Sequence, residues 1–283
     1  MYAATIGMFD GVHRGHQFVV QQLTAEARRH GMQSVVITFD RSPRQEPVLT
    51  PTEEKIRLLR EAGADRVEVL PFTAALKSMT ARQFMEWMHG QLDVHLLLTG
   101  YDNRFGHGRT ETFTDYVRYG QELGIEVMAL TAAPDSPASS SLVRQLLTEG
   151  RVAEASTMLG RPYAVSGHVT HGHHIGTGLG FPTANLVPDD RQQLIPATGA
   201  YAVLANRHAA MMNIGTRPTF DNGGLTMEVH IFDIDADLYG QPLTVHFIER
   251  LRAEQRFNSP EALRLQLEQD AQRAKELTTH QRL

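Results

Sequence analysis

Two histidines in a glycine-rich segment near the start of the chain are the first candidates for chemistry. Residues 7–16 read GMFDGVHRGH, with an apolar run before them and a helix-like pattern after them. The first N–H groups of a helix have no partners within the helix, so such a turn is suited to phosphate binding. His13 and His16 lie three positions apart with Gly15 between them, which allows both imidazoles to face one anion. The pattern indicates a site that stabilises charge on a nucleotide α-phosphate during nucleotidyl transfer.

Two other interpretations of this histidine pair stay open. A His-x-x-His pair can supply half of a metal site, and two histidines on a turn can simply be solvated. The intervening glycine and the strand–turn–helix context favour phosphate binding over both.

A group of hydroxyls and a guanidinium lies at the start of a later predicted helix. Residues 139–144 read SSSLVR. Ser140 and Ser141 can cap backbone N–H groups or contact a phosphate. Arg144 can clamp a pyrophosphate with two parallel hydrogen bonds. For this segment alone, a plain helix cap with a solvated arginine is the simpler interpretation.

A third candidate is the segment GLGFPTAN at residues 178–185. Gly178 and Gly180 allow a ligand to approach the backbone closely. Thr183 and Asn185 are two positions apart, so they face the same side of an extended chain. Their neutral oxygens suit Mg²⁺ when substrate phosphates and water complete the coordination. Taken alone, the segment is more typical of a turn.

Glu228 is a carboxylate within an alternating strand pattern. Met227, Val229 and Ile231 share one face of that strand, so Glu228 lies on the opposite face. A carboxylate that points toward a site can accept a hydroxyl proton. The alternative is a solvent-facing residue on the outside of a barrel.

A histidine cluster precedes the GLGFPTAN segment. Its members are His168, His171, His173 and His174. A zinc or nickel site is one interpretation. We favour solvated imidazoles on a loop, and we assign no metal here.

Alternating strand and helix patterns in the first half must position the histidine pair. Strand-like segments lie at 3–8, 34–39, 66–70, 94–98 and 126–130, and helix-like segments follow the turn and lie at 52–62, 80–92 and 114–123. This alternation predicts a parallel sheet with helices on both faces, a doubly wound Rossmann-like α/β fold. We expect Thr52 to cap the second of these helices.

The second half carries short strands with no long helix between them. The strand-like segments are 165–170, 200–205, 211–214, 227–231 and 243–248. They predict a small antiparallel β-barrel or sandwich. Two short helices at 139–147 and 152–159 would connect the halves. A final helix begins after Ser259, with Pro260 at its first position.

Composition excludes several classes of protein. The 283 residues favour two domains, and the absence of cysteine excludes disulfides, Cys-ligated zinc and a cysteine nucleophile. A net charge of −5 argues against a nucleic-acid partner, and no Gly-Lys-Ser/Thr signature is present for a Walker-type site. The N-terminus does not resemble a signal peptide and no aliphatic run could span a bilayer. We therefore expect a cytoplasmic protein without a membrane partner.

These segments, in this order, resemble the bacterial bifunctional riboflavin kinase/FMN adenylyltransferase (FAD synthetase) family. In the first half the similar segments are 7–16, 38–43, 100–106 and 139–144. In the second half they are 178–185, 199–202, 213–220, 228–232, 237–240 and 251–257. The second set covers most of residues 165–257 and is the strongest part of the resemblance.

The resemblance implies a domain organisation and two reactions. A nucleotidyltransferase domain would span residues 1–145, linking helices 146–163, and a riboflavin kinase domain with a β-barrel and a C-terminal helix 164–283. The kinase would phosphorylate riboflavin to FMN with ATP and Mg²⁺. The other domain would adenylylate FMN to FAD and release pyrophosphate. ATP, riboflavin, FMN and FAD are thus the implied binding partners, and a homo-oligomer is not excluded.

The resemblance also implies the site residues, position by position. His13, His16 and Glu228 would be catalytic, and Glu228 would be the general base for the riboflavin 5′-hydroxyl. The nucleotide and phosphate contacts would be Gly7, Phe9, Asp10, Gly15, Ser140, Ser141, Arg144, Gly178, Thr183 and Asn185. The flavin contacts would be Asp102, Arg104, Phe105, Arg252, Glu254 and Phe257. Thr183 and Asn185 would also hold the Mg²⁺.

The chain departs from the family pattern at a few positions. Arg41 and Ser42 replace a Pro-His pair, Met8 and Ser141 replace a common Asn and Thr, and Thr177 replaces an Arg. The first departure motivates one alternative function, a riboflavin kinase with a weakened adenylyltransferase module.

Two further alternatives come from other classes. A non-enzymatic flavin-binding or regulatory protein would not need Thr183, Asn185 and Glu228 together. A different HIGH-type transferase, such as a cytidylyltransferase, would leave the second half of the chain unexplained.

Overall fold

The computed structural model describes the chain in two compact units, residues 1–138 and 139–283. The described residues are all those outside 42–45, 102, 132–137, 171–180, 217–224, 234–237, 280 and 282–283. Both helices expected to connect the halves lie within the second unit.

The first unit is built on a five-stranded parallel sheet, as the sequence predicts. Its strands are β1 (Tyr2–Ile6), β2 (Gln33–Phe39), β3 (Arg66–Leu70), β4 (Val94–Thr99) and β5 (Glu126–Ala129). They lie in the order β3-β2-β1-β4-β5, and every neighbouring pair is parallel. The central strands are nearly continuous apolar runs, because helices cover both of their faces.

Helices on the two faces of this sheet enclose two separate hydrophobic clusters. The helices are α1 (Arg14–Arg29), α2 (Thr52–Glu61), α3 (Ala74–Ser78), α4 (Ala81–Leu92) and α5 (Phe113–Leu123). Val20 and Leu23 of α1 belong to one cluster, and Met85 and Met88 of α4 belong to the other. The sequence therefore predicted the doubly wound arrangement correctly.

Two local features differ from the sequence-based expectation. Pro51, not Thr52, is the N-cap of α2. Thr52 is the first helical residue, and its hydroxyl donates to the Asp40 carbonyl at 3.4 Å. The short helix α3 was not expected, because five residues are too few to show a helical period.

The second unit contains a closed six-stranded antiparallel barrel. Its strands are β6 (Tyr163–Thr170), β7 (Ala184–Pro188), β8 (Gly199–Ala205), β9 (His208–Thr216), β10 (Leu225–Ile231) and β11 (Pro242–Arg252). Their order around the barrel is β10-β7-β6-β11-β8-β9. The predicted barrel is confirmed. The sequence did not predict β7 as a strand, because Asn and Pro are depleted in strands.

Three helices accompany the barrel. They are α6 (Ser140–Thr148), α7 (Val152–Leu159) and α8 (Pro260–Thr278). The Ser259 side chain accepts a hydrogen bond from the Ala262 N–H at 3.2 Å, so the predicted cap of α8 is confirmed. The helix packs against β8 and β9, and its Ala274 is fully buried in a hydrophobic cluster with Ala202 and Met211 of those strands.

A buried ion pair joins α8 to the last barrel strand. Arg252 of β11 donates to Asp270 of α8 at 2.9 Å, and Asp270 is 5% exposed. Gln266 donates to the second carboxylate oxygen at 2.9 Å. Removing one partner of such a pair leaves the other charge buried and uncompensated.

We therefore predict that Asp270→Ala lowers the free energy of unfolding by about 3 kcal/mol. Glu268→Ala is the matched control, because its 3.6 Å pair with Arg264 on the same helix is exposed, and we expect a loss below about 1 kcal/mol. Chemical denaturation of both variants checks this. Equal losses in the two variants would contradict it.

Candidate active sites

The turn between β1 and α1 adopts an uncommon backbone conformation. Phe9, Gly11 and Val12 have positive φ angles of 49°, 83° and 40°. Positive φ is rare for residues other than glycine and often marks a functional turn. The Asp10 carboxylate stabilises the turn by accepting hydrogen bonds from the Leu49 N–H at 3.0 Å and the Thr50 N–H at 3.2 Å.

The two histidines of this turn stack on each other at the start of α1. His13 is the N-cap residue, and its Nδ1 accepts a hydrogen bond from the His16 N–H at 3.3 Å. The ring centroids are 3.6 Å apart, with 20° between the planes. A Cβ on Gly15 would lie 3.1 Å from Cε1 of His13. A glycine at this position therefore leaves room for the stacked pair.

The surroundings of His16 favour its neutral form. Burial, His13 and Lys55, in that order, hold the pKa of His16 well below its usual value. Its Nδ1 is buried and has no hydrogen-bond partner among the described residues. A neutral imidazole carries one N–H donor, and His13 uses its Nδ1 as an acceptor, which leaves its Nε2 to donate. The pair can thus offer N–H groups to a phosphate.

Gly7, Phe9 and Asp10, which were also expected to bind nucleotide, pack within this turn or bind the backbone beside it. Phe9 is 3% exposed, and its ring packs edge-on against His16 at 5.1 Å. A Cβ on Gly7 would lie 3.1 Å from the Phe9 ring. Asp10 is 8% exposed and binds the backbone at 49–50. All three residues therefore support the turn that carries the two histidines.

A cavity of about 500 Å³ opens beside the same turn. Gly7 and Met8 lie in its wall, so it adjoins the segment that leads to the histidines. Its aromatic lining residues are Phe39, Phe72, Phe84 and Phe105, and its basic lining residues are Lys77, Arg104, His107 and Arg109. An aromatic cavity with basic groups in its wall suits a flat heterocycle that carries a phosphate.

The cavity contains two of the residues that the resemblance assigned to flavin, Arg104 and Phe105. Phe105 stacks on Tyr116 at 4.2 Å, and its N–H donates to the Tyr116 hydroxyl at 3.1 Å. Sequence reasoning missed Phe39 and Phe72 as site residues, and their ring centroids lie 5.6 Å apart. Phe39 ends β2 and Phe72 follows the end of β3 by two residues, so aromatics at the carboxyl ends of adjacent parallel strands were the available signal.

In the second unit, the serine segment forms the start of α6. Ser139 is the N-cap, and its side chain accepts from the Leu142 N–H at 3.2 Å. Ser140 and Ser141 therefore lie in the first turn, and Arg144 follows one turn later. This placement leaves the capping role to Ser139.

Glu228 lies in a row of polar residues across three barrel strands. It is directly opposite Asn185 of β7 on one side and Asn213 of β9 on the other. Directly opposite residues of antiparallel strands project to the same face. The neighbours Met227 and Val229 are buried at 4% and 1% exposure, so the predicted division of faces is correct. Asn213 was missed as a site residue, because only the strand register brings it to Glu228.

Thr183 lies just before β7 in a segment anchored to the same strand as Glu228. His230 Nδ1 is 2.7 Å from the Pro182 carbonyl oxygen, and the rings of His230 and Phe181 are 5.3 Å apart. Thr183 and Asn185 are both half-buried. These contacts anchor the segment that carries the Thr183 hydroxyl and the Asn185 amide oxygen.

The three C-terminal flavin candidates lie at and after the end of β11. Arg252 lies 5.5 Å over the Phe257 ring while it pairs with Asp270. Glu254 is exposed, and its Oε1 would lie 3.1 Å from a Cβ placed on Gly215 of β9.

Several expected positions lie outside the described residues. These are the site candidates Asp102 and Gly178, the departures Ser42 and Thr177, and the cluster members His171, His173 and His174. His168 is described, and its Nδ1 lies 2.6 Å from an Asp189 oxygen. Within the part of the chain that the structure describes, no group of three or more His, Cys, Asp or Glu could hold a metal.

The first unit carries a histidine pair at a helix start on a parallel sheet, and the second carries Glu228 between two asparagines on a closed barrel. The two folds and the family models together define a two-unit transferase. Residues 1–141 match the FAD synthetase family model, and residues 159–278 match the riboflavin kinase family model. The bifunctional riboflavin kinase/FMN adenylyltransferase of Escherichia coli K12 is 37% identical, over 96% of this chain and 91% of its own. That of Listeria monocytogenes is 34% identical, over 94% and 89%.

The chain belongs to the bifunctional riboflavin kinase/FMN adenylyltransferase family, and it is a transferase with both activities. A solved structure described as a macrolide-efflux protein from Streptococcus pneumoniae has the same fold. It superposes with a TM-score of 0.86 at 31% identity, over 99% of this chain and 94% of that chain. Among the described residues, no helix combines the length and hydropathy that a bilayer crossing requires.

We predict that Gly15→Ala lowers the rate of FAD formation from FMN about tenfold, because the added methyl group displaces His13. Gly90→Ala on α4 is the matched control, since a Cβ there meets nothing within 4 Å. Rates of FAD and FMN formation in both variants check this. Full FAD formation by Gly15→Ala would show that the stacking geometry is not required.

Proposed function

We propose that the His13–His16 pair stabilises the transition state in which the adenylyl group of ATP passes to FMN. The FMN phosphate oxygen forms a bond to the α-phosphorus of ATP. The bond from that phosphorus to the bridging oxygen breaks, and pyrophosphate leaves with the bonding electrons. Two imidazole N–H donors at a helix N-terminus can bind the charge that develops on the α-phosphate oxygens. The stacked pair, with His16 neutral, is the observation that carries this proposal.

We assign the cavity of the first unit to the flavin of FMN. Phe39, Phe72 and Phe105 offer apolar surface for the ring system. Arg104 and Lys77 offer positive charge for the phosphate or the ring oxygens. The position of Met8 in the cavity wall, one residue before Phe9, supports delivery of the phosphate toward the histidines.

In the second unit we propose that Glu228 accepts the proton of the riboflavin 5′-hydroxyl. The hydroxyl oxygen then forms a bond to the γ-phosphorus of ATP, and ADP leaves. Positioning and neutralisation of phosphate charge supply most of the catalysis in such transfers. The row of Glu228 with Asn185 and Asn213 supports this assignment, because it gathers hydrogen-bonding groups on one face of the barrel.

The donor set beside Glu228 fits a magnesium ion that arrives with ATP. Thr183 and Asn185 supply a hydroxyl and an amide oxygen, the hard neutral ligands that Mg²⁺ accepts alongside phosphates and water. Bound Mg²⁺ would neutralise charge on the nucleotide phosphates. Thr183 and Asn185 would hold it, because Asn185 is directly opposite Glu228 and the Pro182–His230 contact anchors the segment that carries Thr183.

The intact histidine pair argues against a chain that is only a riboflavin kinase. Arg41, the described member of the departure from the family, lies 3.6 Å from Asp40 in an exposed ion pair. Its charge is thus paired with a neighbouring carboxylate. The described residues thus agree with two active modules, and we propose that ATP, riboflavin, FMN and FAD are the ligands.

Two variants should separate the reactions. We predict that His16→Gln lowers FAD formation from FMN about 100-fold and leaves FMN formation unchanged. Glu228→Gln should lower FMN formation about 100-fold and leave FAD formation from supplied FMN unchanged. Chromatography of both products checks this, and each activity serves as the folding control for the other. Wild-type FAD formation by His16→Gln would remove the histidine pair from the mechanism.

The magnesium assignment has its own test. We predict that Asn185→Ala raises the Mg²⁺ concentration for half-maximal FMN formation about tenfold, because one ligand is lost. Val187→Ala is the matched control, since Val187 lies two residues further along the same strand and is 45% exposed. An unchanged Mg²⁺ requirement in Asn185→Ala would contradict the assignment.

A further inference from the structure

Lys55 is a buried lysine that has no role in the reaction proposed above. It is one of only three lysines in the chain. It lies on α2 and is 4% exposed. Lysine is almost never buried this deeply unless its charge is satisfied. The groups that contact the Lys55 ammonium therefore indicate the structural role of its charge.

The Lys55 ammonium binds two backbone carbonyl oxygens at the carboxyl edge of the sheet. Its Nζ donates to the Phe39 oxygen at 2.6 Å and to the Met8 oxygen at 3.5 Å. The hydroxyl of Thr38 donates to the same Met8 oxygen at 2.9 Å. One side chain thus ties the turn after β1 to the end of β2.

Two carboxylates favour the charged form of Lys55. Burial lowers the pKa of its ammonium, and the charges of Asp10 and Asp40 oppose that effect. Both carboxylates also bind backbone N–H groups, Asp10 at residues 49–50 and Asp40 at Phe72. The network therefore joins three loops at this edge of the sheet.

This network is connected to His16 through Met8 and the ring of Phe9. Met8 precedes Phe9, and the Phe9 ring packs against His16 at 5.1 Å. The charge of Lys55 also contributes to the lowered pKa of His16, after burial and His13. His13 and Lys55 are the charged or titratable groups that act on His16, and Asp10 and Asp40 act on Lys55.

We propose that Lys55 is a positioning residue for adenylyl transfer, whose buried ammonium holds the turn on which the His13–His16 pair is built. Its charge has a second effect, because a cation near His16 opposes protonation of that imidazole. Protonation at the buried Nδ1 of His16 would add a donor with no acceptor among the described residues. This inference rests on the proposed role of the histidine pair.

The test compares Lys55→Met with Arg60→Met, which removes a positive charge from an exposed position on the same helix. The pH dependence of kcat and KM for FAD formation is measured for both. For Lys55→Met we expect kcat to fall about tenfold with KM for ATP little changed. We also expect the acidic limb of the profile to move up by about half a pH unit. Arg60→Met should match the wild type.

A second readout does not depend on activity. The titration of the His16 imidazole is followed by NMR in histidine-labelled protein, with His16→Gln for assignment. In the wild type, His16 should stay neutral well below the ordinary histidine pKa, and in Lys55→Met its midpoint should rise. The riboflavin kinase activity of the same chain reports whether each variant is folded.

Two results would overturn the inference. One is a Lys55→Met enzyme whose pH profile and His16 titration equal those of the wild type, which would leave Lys55 a purely structural charge. The other is a wild-type His16 that titrates at the ordinary value. The second result needs no variant, and it would overturn the proposed effect of the Lys55 charge on His16, while kcat of Lys55→Met tests whether Lys55 holds the turn. By contrast, full FAD formation by His16→Gln would overturn the proposed role of the histidine pair itself, so the two failures are distinguishable.

Discussion

The hydrogen bond from the His16 N–H to His13 Nδ1 couples the start of α1 to the orientation of two imidazoles. A helix must satisfy its first N–H groups, and here a histidine supplies the cap. The cap fixes which His13 nitrogen accepts, and the stacking at 3.6 Å then fixes the second ring. The start of the helix and the orientation of the two imidazoles proposed to be catalytic are therefore set by the same contacts in the first unit.

Other contacts in the first unit stabilise the turn that carries the two histidines. Phe9 and Val12 have unusual positive φ angles, and Asp10 and Lys55 bind backbone groups in and around this turn. The cavity opens on the same edge, because the carboxyl ends of parallel strands gather their loops there. The barrel unit uses a different device. In it, strand register alone places Asn185 and Asn213 beside Glu228.

The sequence was sufficient for the fold class and for residues whose chemistry is local. Strand–helix alternation predicted the parallel sheet, and the spacing of His13, Gly15 and His16 predicted a turn at a helix start that brings both imidazoles together. Phosphate binding by this turn stays a prediction. The alternation around Glu228 predicted its face correctly. What it could not predict depends on contacts between distant segments. Lys55 read as an ordinary helix residue until α2 was packed on the sheet, and the Thr52 cap failed because Pro51 already occupied that position.

One chain of this family makes FMN and then converts it to FAD. The most direct measurement is a single incubation of the wild-type protein with riboflavin, ATP and Mg²⁺, followed over time by chromatography. We expect FMN to appear first and then to decline as FAD accumulates. FMN that accumulates without FAD, from a folded protein, would contradict the role of the histidine pair, and the absence of both products would contradict the account as a whole.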